Sequence, residues 1–462
     1  MQKIAKVRNP FDLSEIGEVP FTDWDTVEGF LAEAYHLYRH RAHWQPKHRR
    51  ITILGNIARI MQEEFEQLAM LIASEGGKPL IDARIEVDRA IAGVQLCISE
   101  LQSERGVEIP MDLTAAGAGR TAFTSREPIG VVVAVSAFNH PLNLIVHQVA
   151  PAIAVGCPVI VKPAMDTPLS CQRFVEIVYE AGLDESWCRM VYLENEVASK
   201  LITDQRVAFL TFIGSARVGW MLRSQLAPGT RCALEHGGAA PVIMAEDADL
   251  NNALPALMKG GFYHSGQVCV SVQRVFAPKK YARELAQLMA SEANKLVVGD
   301  AREEATQCGP LIRPAEVTRV AQWVDEAVQE GAEVLSGGKA LSETTYAPTI
   351  LFEPSQQSKV SQKEIFGPVV CVYTYDDIDQ AIELANSLDV AFQASVFTEN
   401  QAIAQHCIKH LDATAVMVND HTAFRVDWMP FAGRHTSGYG TGGIGYTMHD
   451  MTQDKMAVFK HG

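Results

Sequence analysis

Residues 129–162 read IGVVVAVSAFNHPLNLIVHQVAPAIAVGCPVIVK, and this stretch decides the fold class. The apolar run over residues 130–135 predicts a buried strand. Pro141 then stands at a plausible first helical position, and apolar residues recur behind it at three- and four-residue spacing. A second apolar run over residues 158–161 predicts another strand, which ends at Lys162. A strand, a helix and a strand in succession predict a parallel α/β sheet.

The same alternation continues on both sides of this unit. Residues 25–104 have charged faces and apolar residues at helical spacing, which predicts a helical segment before the sheet. Later strands are predicted over residues 190–193, 207–213, 233–234, 241–244 and 368–374. Later helices are predicted over residues 168–182, with Thr167 as the cap, and over 281–296 and 315–330. The fold class is therefore α/β, with a doubly wound sheet followed by a second α/β unit at about residues 238–420.

Two segments belong to neither predicted core. They are residues 120–126 with their flanks and the tail after residue 444. Strands left outside a sheet often pair with each other or with a partner subunit, so pairing of either kind is expected here.

Composition excludes several classes of function. The chain has 462 residues, of which 47% are hydrophobic, and this is enough for two or three domains. Its net charge of −15, from 55 acidic and 40 basic residues, argues against nucleic-acid binding. Nine cysteines without a Cys-x-x-Cys pair indicate reduced thiols rather than disulfides or a metal site. No apolar run has the length of a signal peptide core or of a membrane span, so we expect a cytoplasmic protein that does not bind membranes.

The chemistry centres on a cysteine and a glutamate. Cys269 lies in GQVCVSVQR, residues 266–274, and Glu235 opens the run EHGG. A thiol among small and apolar residues can act as a nucleophile that forms a thioester, and a carboxylate before two glycines can activate the water that hydrolyses it. Lone cysteines are more often buried hydrophobic residues, and Glu-x-Gly-Gly also occurs in ordinary turns. The neighbouring motifs must decide between these interpretations.

Two polar residues follow the ends of the first two predicted strands, where doubly wound sheets bind their ligands. Asn139 could donate to an oxyanion together with the Cys269 backbone N–H, or it could cap the helix that Pro141 begins. Lys162 could hold ribose hydroxyls or phosphate, or it could be a solvated surface lysine.

Glycine-containing turns supply further candidates. FIGSARVG, residues 212–219, combines a strand, a turn and a helix start, which can bind pyrophosphate. A formal Gly-x-Gly-x-x-Gly over residues 440–445 has no strand before it, so we interpret it as a loop without a cofactor role. In EIFGP, residues 364–368, Glu364 could accept from ribose hydroxyls while Phe366 packs on a cofactor, or the segment could be a structural turn.

In this order, and over nearly the whole chain, these motifs resemble those of the aldehyde dehydrogenase superfamily. The resemblance includes EIFGPV from residue 364 and PFAGR followed by SG at residues 430–438. It implies a Rossmann-like NAD(P)-binding domain of residues 1–111 and 127–236, and an α/β catalytic domain of residues 237–420. It also implies a β-strand oligomerisation arm of residues 112–126 and 444–462, and a homodimer or homotetramer.

Residue roles also follow from the resemblance. Cys269 corresponds to the nucleophile, Glu235 to the general base and Asn139 to the oxyanion donor. The residues corresponding to cofactor contacts are Ser136, Ala137, Phe138, Lys162, Gly214, Ser215, Val218, Gly237, Glu364 and Phe366. The implied cofactor is NAD or NADP, with NAD slightly favoured. Met165 stands where NAD-preferring members often have Glu, so NADP is compatible with the sequence.

This chain also departs from the family pattern. His236 stands where the family usually has Leu. Ala432 and Arg434 replace the common Gly and Lys of the C-terminal loop. None of these changes removes a catalytic group.

Two arginine motifs bear on the substrate. FRVDWMP, residues 424–430, and EVDRA, residues 86–90, resemble the branch that contains lactaldehyde, phosphonoacetaldehyde and non-phosphorylating glyceraldehyde-3-phosphate dehydrogenases. Members that use anionic substrates have a further arginine immediately before the nucleophile, where this chain has Val268. The resemblance implies a small aldehyde that is hydroxylated or singly anionic, such as lactaldehyde or a semialdehyde, with contacts at Arg89, His140 and Arg425. An ion pair within the chain, such as Arg425 with Asp427, is the alternative.

The implied reaction is NAD(P)-dependent oxidation of this aldehyde to the carboxylate through a cysteine thioester. One alternative is a CoA-acylating dehydrogenase, although a water-activating Glu235 argues against it. The other is a catalytically silent relative with a binding role.

Overall fold

The computed structural model describes residues 3–462. The strands are β1 (Ile4–Arg8), β2 (Glu15–Pro20), β3 (Glu108–Ile109), β4 (Arg120–Pro128), β5 (Val131–Val135), β6 (Val159–Lys162), β7 (Cys188–Met190), β8 (Val207–Ile213), β9 (Arg231–Glu235), β10 (Ala240–Met244), β11 (Val272–Pro278), β12 (Glu333–Ser336), β13 (Thr349–Phe352), β14 (Val369–Tyr375), β15 (Val390–Ala391), β16 (Gln393–Phe397), β17 (Ala415–Val418), β18 (Arg434–His435), β19 (Gly438–Tyr439) and β20 (Thr452–Lys460).

The helices are α1 (Trp24–Arg39), α2 (Lys47–Glu63), α3 (Phe65–Gly76), α4 (Leu80–Ser103), α5 (Asn143–Val155), α6 (Leu169–Glu180), α7 (Asn195–Ile202), α8 (Ala216–Ser224), α9 (Leu250–Phe262), α10 (Ala282–Ala293), α11 (Pro314–Gln329), α12 (Lys359–Gln362), α13 (Ile378–Ala385), α14 (Gln401–His410) and α15 (Ile444–Asp450). Short 3₁₀ turns lie at Arg41–His43, Glu185–Trp187 and Tyr263–Gly266.

The first sheet has six strands in the order β19-β9-β8-β5-β6-β7. Strands β5 to β9 are parallel to their neighbours, and β19 is antiparallel to β9. Every residue of β5 is buried, as expected for a central strand with helices on both faces. The strand order reverses between β5 and β8, so the crevice outside their carboxyl ends is where such a sheet binds a ligand. The predicted doubly wound sheet is confirmed. Strand β19 also belongs to this sheet, although its residues lie outside the ranges predicted for the first domain.

The second sheet has seven strands in the order β12-β13-β14-β11-β10-β16-β17. All neighbours are parallel except β12, which is antiparallel to β13. This sheet confirms the predicted second α/β unit.

The two leftover segments pair with each other. Strand β20 runs antiparallel to β4 in continuous register from Thr452 opposite Pro128 to Lys460 opposite Arg120. Strand β3 pairs along the other edge of β4. Phe123 and Phe459 stack on an exposed face of this arm, with ring centroids 5.9 Å apart. The predicted pairing of these segments is therefore confirmed, and the predicted oligomer stays a prediction.

Two predicted helix starts are wrong, because carboxylates from neighbouring helices replace local caps. Helix α6 begins at Leu169, and the buried Glu75 of α3 accepts its first N–H groups, from Leu169 and Ser170, both at 2.7 Å. The predicted cap, Thr167, has a buried hydroxyl without a partner among the described residues. Helix α5 begins at Asn143 rather than at Pro141, and its N-terminus is described with the site below.

The strand predicted over residues 190–193 ends earlier, at Met190. The reason is that the backbone beyond it pairs elsewhere. Thr22 N donates to Tyr192 O at 2.8 Å, and Tyr192 N donates to the Thr22 hydroxyl at 3.2 Å. None of the helices within residues 3–462 has both the length and the hydropathy that crossing a membrane requires.

Candidate active site

The carboxyl ends of β5, β6, β8 and β9 meet at one edge of the first sheet, and the second α/β unit faces them across a cleft of about 810 Å³. The sequence-predicted residues that line this cleft are Arg89, Ser136, Ala137, Phe138, Asn139, His140, Gly214, Ser215, Val218, Glu235, Gly237, Cys269, Glu364, Phe366 and Arg425. Lys162 is the exception. It is buried at the end of β6, and its Nζ donates to Pro163 O at 3.2 Å. The interpretation of Lys162 as a solvated surface lysine is therefore wrong.

Strained backbone brings Cys269 into the cleft. His264 and Ser265 have φ values of 47° and 54°, in the left-handed region that non-glycine residues seldom adopt. Gln267 then fixes the loop, because its side-chain oxygen accepts from Ile312 N at 3.0 Å and its amide donates to Pro310 O at 3.2 Å. Cys269 follows two residues later, just before β11 begins.

The environment of Cys269 disfavours the thiolate. Burial, together with the nearby carboxyl groups of Glu364 and Glu235, raises the pKa of this thiol to about 12. Arg425 opposes them and lowers the pKa. In the cofactor-free protein, Cys269 is therefore a protonated thiol at neutral pH, and its reaction with an electrophile requires loss of the proton to a base or to solvent.

Glu235 ends β9 and lies in the same cleft. Burial raises the pKa of this carboxyl, while Arg425 lowers it. A Cβ atom at residue 442 would lie 2.2 Å from Glu235 Oε1, so a larger residue there would displace the carboxylate from its observed position. The loop over residues 440–445 therefore houses the predicted general base, a role that the sequence interpretation missed.

Asn139 bridges the two halves of the cleft. Its Nδ2 donates one hydrogen to Gln267 O at 3.0 Å, which leaves the second hydrogen available to an acceptor in the cleft. The interpretation of Asn139 as a helix cap is wrong. Helix α5 begins four residues later, and its first N–H groups, from Leu142 and Asn143, donate to Glu86 Oε1 at 2.9 and 3.0 Å.

Glu86 and Lys78 were missed as site residues. Both side chains have no solvent exposure, and Lys78 Nζ forms an ion pair with Glu86 Oε2. Lys78 Nζ also lies 5.7 Å from the centre of the Tyr263 ring. Burial lowers the pKa of Lys78, and the negative charge of Glu86 acts in the opposite direction. The run EVDRA contained Glu86, but no feature of the sequence marked its partner.

Arg89 is neutralised within the protein. Its Nε and Nη2 donate to Asp427 Oδ2 and Oδ1 at 3.1 and 2.7 Å, and His147 Nε2 lies 2.7 Å from Oδ1. Burial alone would raise the pKa of Asp427, but the hydrogen bond from His147 and the charge of Arg89 together hold it below its usual range. Arg89 therefore forms an ion pair within the chain, which was the alternative to a contact with the substrate, although its side chain lines the cleft.

Arg425 keeps its positive charge free. Its guanidinium carbon lies 3.6 Å from the centre of the Phe431 ring, and its Nε is buried without a hydrogen-bond partner within residues 3–462. The predicted alternative, an ion pair with Asp427, does not form because Asp427 is bound to Arg89. A guanidinium stays protonated in proteins. The cleft beside Cys269 therefore carries one positive charge that no contacting carboxylate neutralises.

His140 adds a neutral polar group. Burial and the nearby cations, Lys78 first, hold its pKa well below the usual range, so the ring is uncharged at neutral pH. The Tyr263 hydroxyl lies 3.4 Å from its Nε2. Such a pair can exchange hydrogen bonds with a hydroxyl group of a small ligand.

The opposite end of the cleft fits a dinucleotide. Glu364 Oε1 is buried without a partner in the described chain, and burial raises the pKa of this carboxyl to about 8, so a ribose hydroxyl is a suitable partner. A Cβ atom at Gly237 would lie 1.9 Å from Glu364 Oε2, so this glycine makes room for the carboxylate. Helix α8 begins after Ser215 without a side-chain cap, and its free N–H groups can bind a diphosphate.

Comparisons agree with this geometry. Residues 1–457 match the model of the aldehyde dehydrogenase family. The chain is 34% identical over 454 residues to 3-sulfolactaldehyde dehydrogenase of Priestia megaterium, covering 98% of this chain and 94% of the relative. It is 33% identical over 457 residues to lactaldehyde dehydrogenase of Methanocaldococcus jannaschii, covering 98% and 96%.

Solved structures show the same likeness. Aldehyde dehydrogenase 21 of Physcomitrella patens, in complex with the reaction product succinate, superposes with a TM-score of 0.95 at 32% identity, covering 99% of this chain and 95% of that one. A glyceraldehyde-3-phosphate dehydrogenase of Methanocaldococcus jannaschii complexed with NADP gives 0.94 at 32% identity, covering 100% and 99%.

The raised pKa of Cys269 predicts that its rate of alkylation depends on pH differently from that of an ordinary thiol. An ordinary thiol, with a pKa of about 8.5, approaches its full rate with iodoacetamide by about pH 9 to 10. The rate at Cys269 in the cofactor-free protein should instead still rise about tenfold per pH unit up to about pH 10. Mass spectrometry of the peptide that contains Cys269 follows the reaction, and a synthetic peptide of residues 266–274 is the control. A plateau at the same pH in protein and peptide would contradict the assigned environment.

Proposed function

The chain belongs to the aldehyde dehydrogenase family and is an NAD(P)-dependent oxidoreductase, and we propose that its substrate is a small aldehyde with a single negative charge. The observation that carries the proposal is the unpaired guanidinium of Arg425, which shares the cleft with Cys269 and Glu235. A carboxylate or sulfonate on the substrate would satisfy this buried charge. The product is the corresponding carboxylate.

The number of free charges in the cleft favours a monoanion. Arg89 is neutralised by Asp427, and Val268 occupies the position before the nucleophile. A dianionic phosphate would therefore meet one free guanidinium only, and each missing charge-assisted contact costs about 1.5–3 kcal/mol. The names of several relatives agree, since sulfolactaldehyde and sulfoacetaldehyde are singly anionic aldehydes. The His140–Tyr263 pair gives a hydroxyl on the substrate a neutral partner.

We assign the chemical roles as follows. The Sγ of Cys269, once deprotonated, attacks the aldehyde carbon, and Asn139 Nδ2 and the Cys269 N–H donate to the resulting oxyanion. A bound nicotinamide cofactor would supply the acceptor for the hydride that leaves this carbon, which would leave a thioester on Cys269. Glu235 then takes a proton from the water that hydrolyses the thioester. The Glu364 carboxylate and the N-terminus of α8 would hold the cofactor in place.

Glu235→Gln should separate the two half-reactions. The amide cannot accept a proton, so hydrolysis of the thioester should slow by about 10²–10⁴-fold while the first turnover still reduces one equivalent of cofactor. Rapid mixing measures the first turnover, and intact-mass spectrometry detects the acyl-enzyme. Cys269→Ala is the control, because it should bind the cofactor without forming either signal. Loss of the first turnover together with steady-state activity would contradict the assignment and make Glu235 the base for the thiol.

The ionisation of Glu235 also predicts a pH dependence. Its carboxylate form accepts the proton, and burial raises its pKa. The rate of thioester hydrolysis in the wild type should therefore fall as the pH drops below this raised pKa, at a higher pH than an ordinary glutamate would show. The low-pH limb of the kcat profile measures it.

Asn139→Ala should lower turnover by about 10²–10³-fold, the usual cost of one oxyanion donor. Asn139 does not cap α5, so the stability loss should be limited to that of its buried hydrogen bond to Gln267 O, about 1 kcal/mol, which is too small to account for such a loss of turnover. Asn143→Ala is the matched control, since it removes another buried amide, whose bond to Asp427 is long at 3.4 Å. The hypothesis is wrong if both variants keep normal turnover.

Arg425→Leu should remove selectivity for acidic aldehydes. We expect kcat/KM for succinic semialdehyde to fall about 10- to 100-fold relative to that for propanal, since a charge-assisted hydrogen bond is worth about 1.5–3 kcal/mol. Arg434→Leu is the control, because Arg434 is exposed and paired with Asp412. Equal losses for the acidic and the neutral aldehyde in Arg425→Leu would show that Arg425 is structural.

A further inference from the structure

His236, the residue after the proposed general base, is buried with 3% exposure beneath the turn that leads into α8. Its ring packs edge-to-face against Phe212 and Trp220, with centroids 5.8 and 5.9 Å away. Its Nδ1 lies 2.9 Å from Gly214 O. Burial lowers the pKa of the ring, so His236 is neutral at neutral pH and its Nδ1 carries the proton that this hydrogen bond requires.

Gly214 is held from both sides by residues 235 and 236. Its N–H donates to Glu235 O at 3.0 Å, one step beyond the last pair of the β8–β9 ladder, Ile213 opposite Glu235. The backbone N–H of His236 points to the other edge of β9, where it donates to Ser437 O at 2.9 Å, and no backbone N–H within residues 3–462 donates to Gly214 O. The imidazole supplies the missing donor, so a side chain fixes the carbonyl of Gly214 where the backbone cannot.

The position has a stability cost. His236 Nε2 is buried without a hydrogen-bond partner among the residues described, and a buried polar atom of this kind is destabilising. The ring also requires glycine at position 219, where a Cβ atom would lie 2.0 Å from its Cε1. A leucine, which the family resemblance leads one to expect here, would fill the apolar space without an unsatisfied nitrogen. Packing therefore does not explain the histidine.

We propose that His236 is a positioning residue for the cofactor, because its Nδ1–H holds the Gly214–Ser215 turn in the conformation that presents the N-terminus of α8 to the diphosphate. The inference rests on the proposed function in one respect, that the cleft binds a dinucleotide. Since Gly214 N is bonded to Glu235 O, the same contact links the phosphate-binding turn to the strand end that carries the general base.

Three variants test the proposal. His236→Leu removes the hydrogen bond and the unsatisfied nitrogen together. His236→Asn places an amide N–H near the position of Nδ1, and His236→Gln places one near Nε2 instead. Isothermal titration calorimetry with NAD and with NADP measures affinity, and thermal melting without cofactor measures stability. Steady-state kinetics measures KM for the cofactor and kcat separately.

The expected effects on affinity, KM and melting temperature differ from those of replacing a residue that only supports the fold. His236→Leu and His236→Gln should bind the cofactor about three- to tenfold more weakly, with a matching rise in KM and a kcat close to that of the wild type. His236→Asn should restore wild-type affinity. The melting temperature of His236→Leu should stay close to that of the wild type, because removal of the unsatisfied nitrogen offsets loss of the hydrogen bond to Gly214 O.

Two results would overturn the inference while leaving the proposed function intact. One is wild-type affinity in His236→Leu. The other is a loss of affinity that follows a loss of stability and that His236→Asn does not restore. If the wild-type protein bound neither NAD nor NADP, the proposed function itself would fail, and the inference with it.

Discussion

The buried carboxylate of Glu86 holds the site together. One oxygen accepts the first N–H groups of α5 and so fixes the backbone just after Asn139, and the other pairs with the buried ammonium of Lys78. One turn further along α4, Arg89 binds Asp427 in the C-terminal loop. Breaking a buried ion pair by removing one partner costs about 3–5 kcal/mol, because the other charge stays uncompensated. Helix α4 thus positions the proposed oxyanion donor and the substrate-facing loop from a single rigid element.

The pairing of Arg89 determines the electrostatics of the cleft. Because Asp427 is bound to Arg89, Arg425 keeps a free charge that lowers the pKa of both Cys269 and Glu235. Burial acts in the opposite direction on both groups and raises their pKa values. An anionic substrate bound to Arg425 would cancel its influence on both. If Arg425 binds the substrate as proposed, substrate binding and the protonation of Cys269 and Glu235 are coupled through one guanidinium.

Patterns that depend on neighbouring residues were predicted well from the sequence. The strand at Val207–Ile213 was predicted with its observed bounds, and the pairing of the two leftover segments followed from their separation from either core. The predicted cleft residues at the ends of β5, β8 and β9 meet because a doubly wound sheet brings the carboxyl ends of its strands to one edge. Arg89, Cys269, Glu364, Phe366 and Arg425 come from other elements, and only the family resemblance predicted that they belong to the same site.

Contacts between distant parts of the chain were not predicted. Glu75 and Glu86 cap helices that begin 94 and 57 residues later, so the local cap signals at Thr167 and Asn139 were misleading. Arg89 and Asp427 are 338 residues apart, and the sequence interpretation considered Asp427 only as an alternative partner of Arg425, two residues away. The place of Gly442 beside Glu235 likewise depends on how the C-terminal loop folds back onto β9. None of these contacts has a periodic or local signature.

In the proposed function, the free positive charge of Arg425 beside Cys269 selects a singly anionic aldehyde. The most direct test compares kcat/KM of the wild-type protein for succinic semialdehyde and for butanal, which have the same number of carbon atoms, with NAD and with NADP. We expect the acidic aldehyde to be preferred by about tenfold or more with whichever cofactor is used. An equal or higher value for butanal would contradict it.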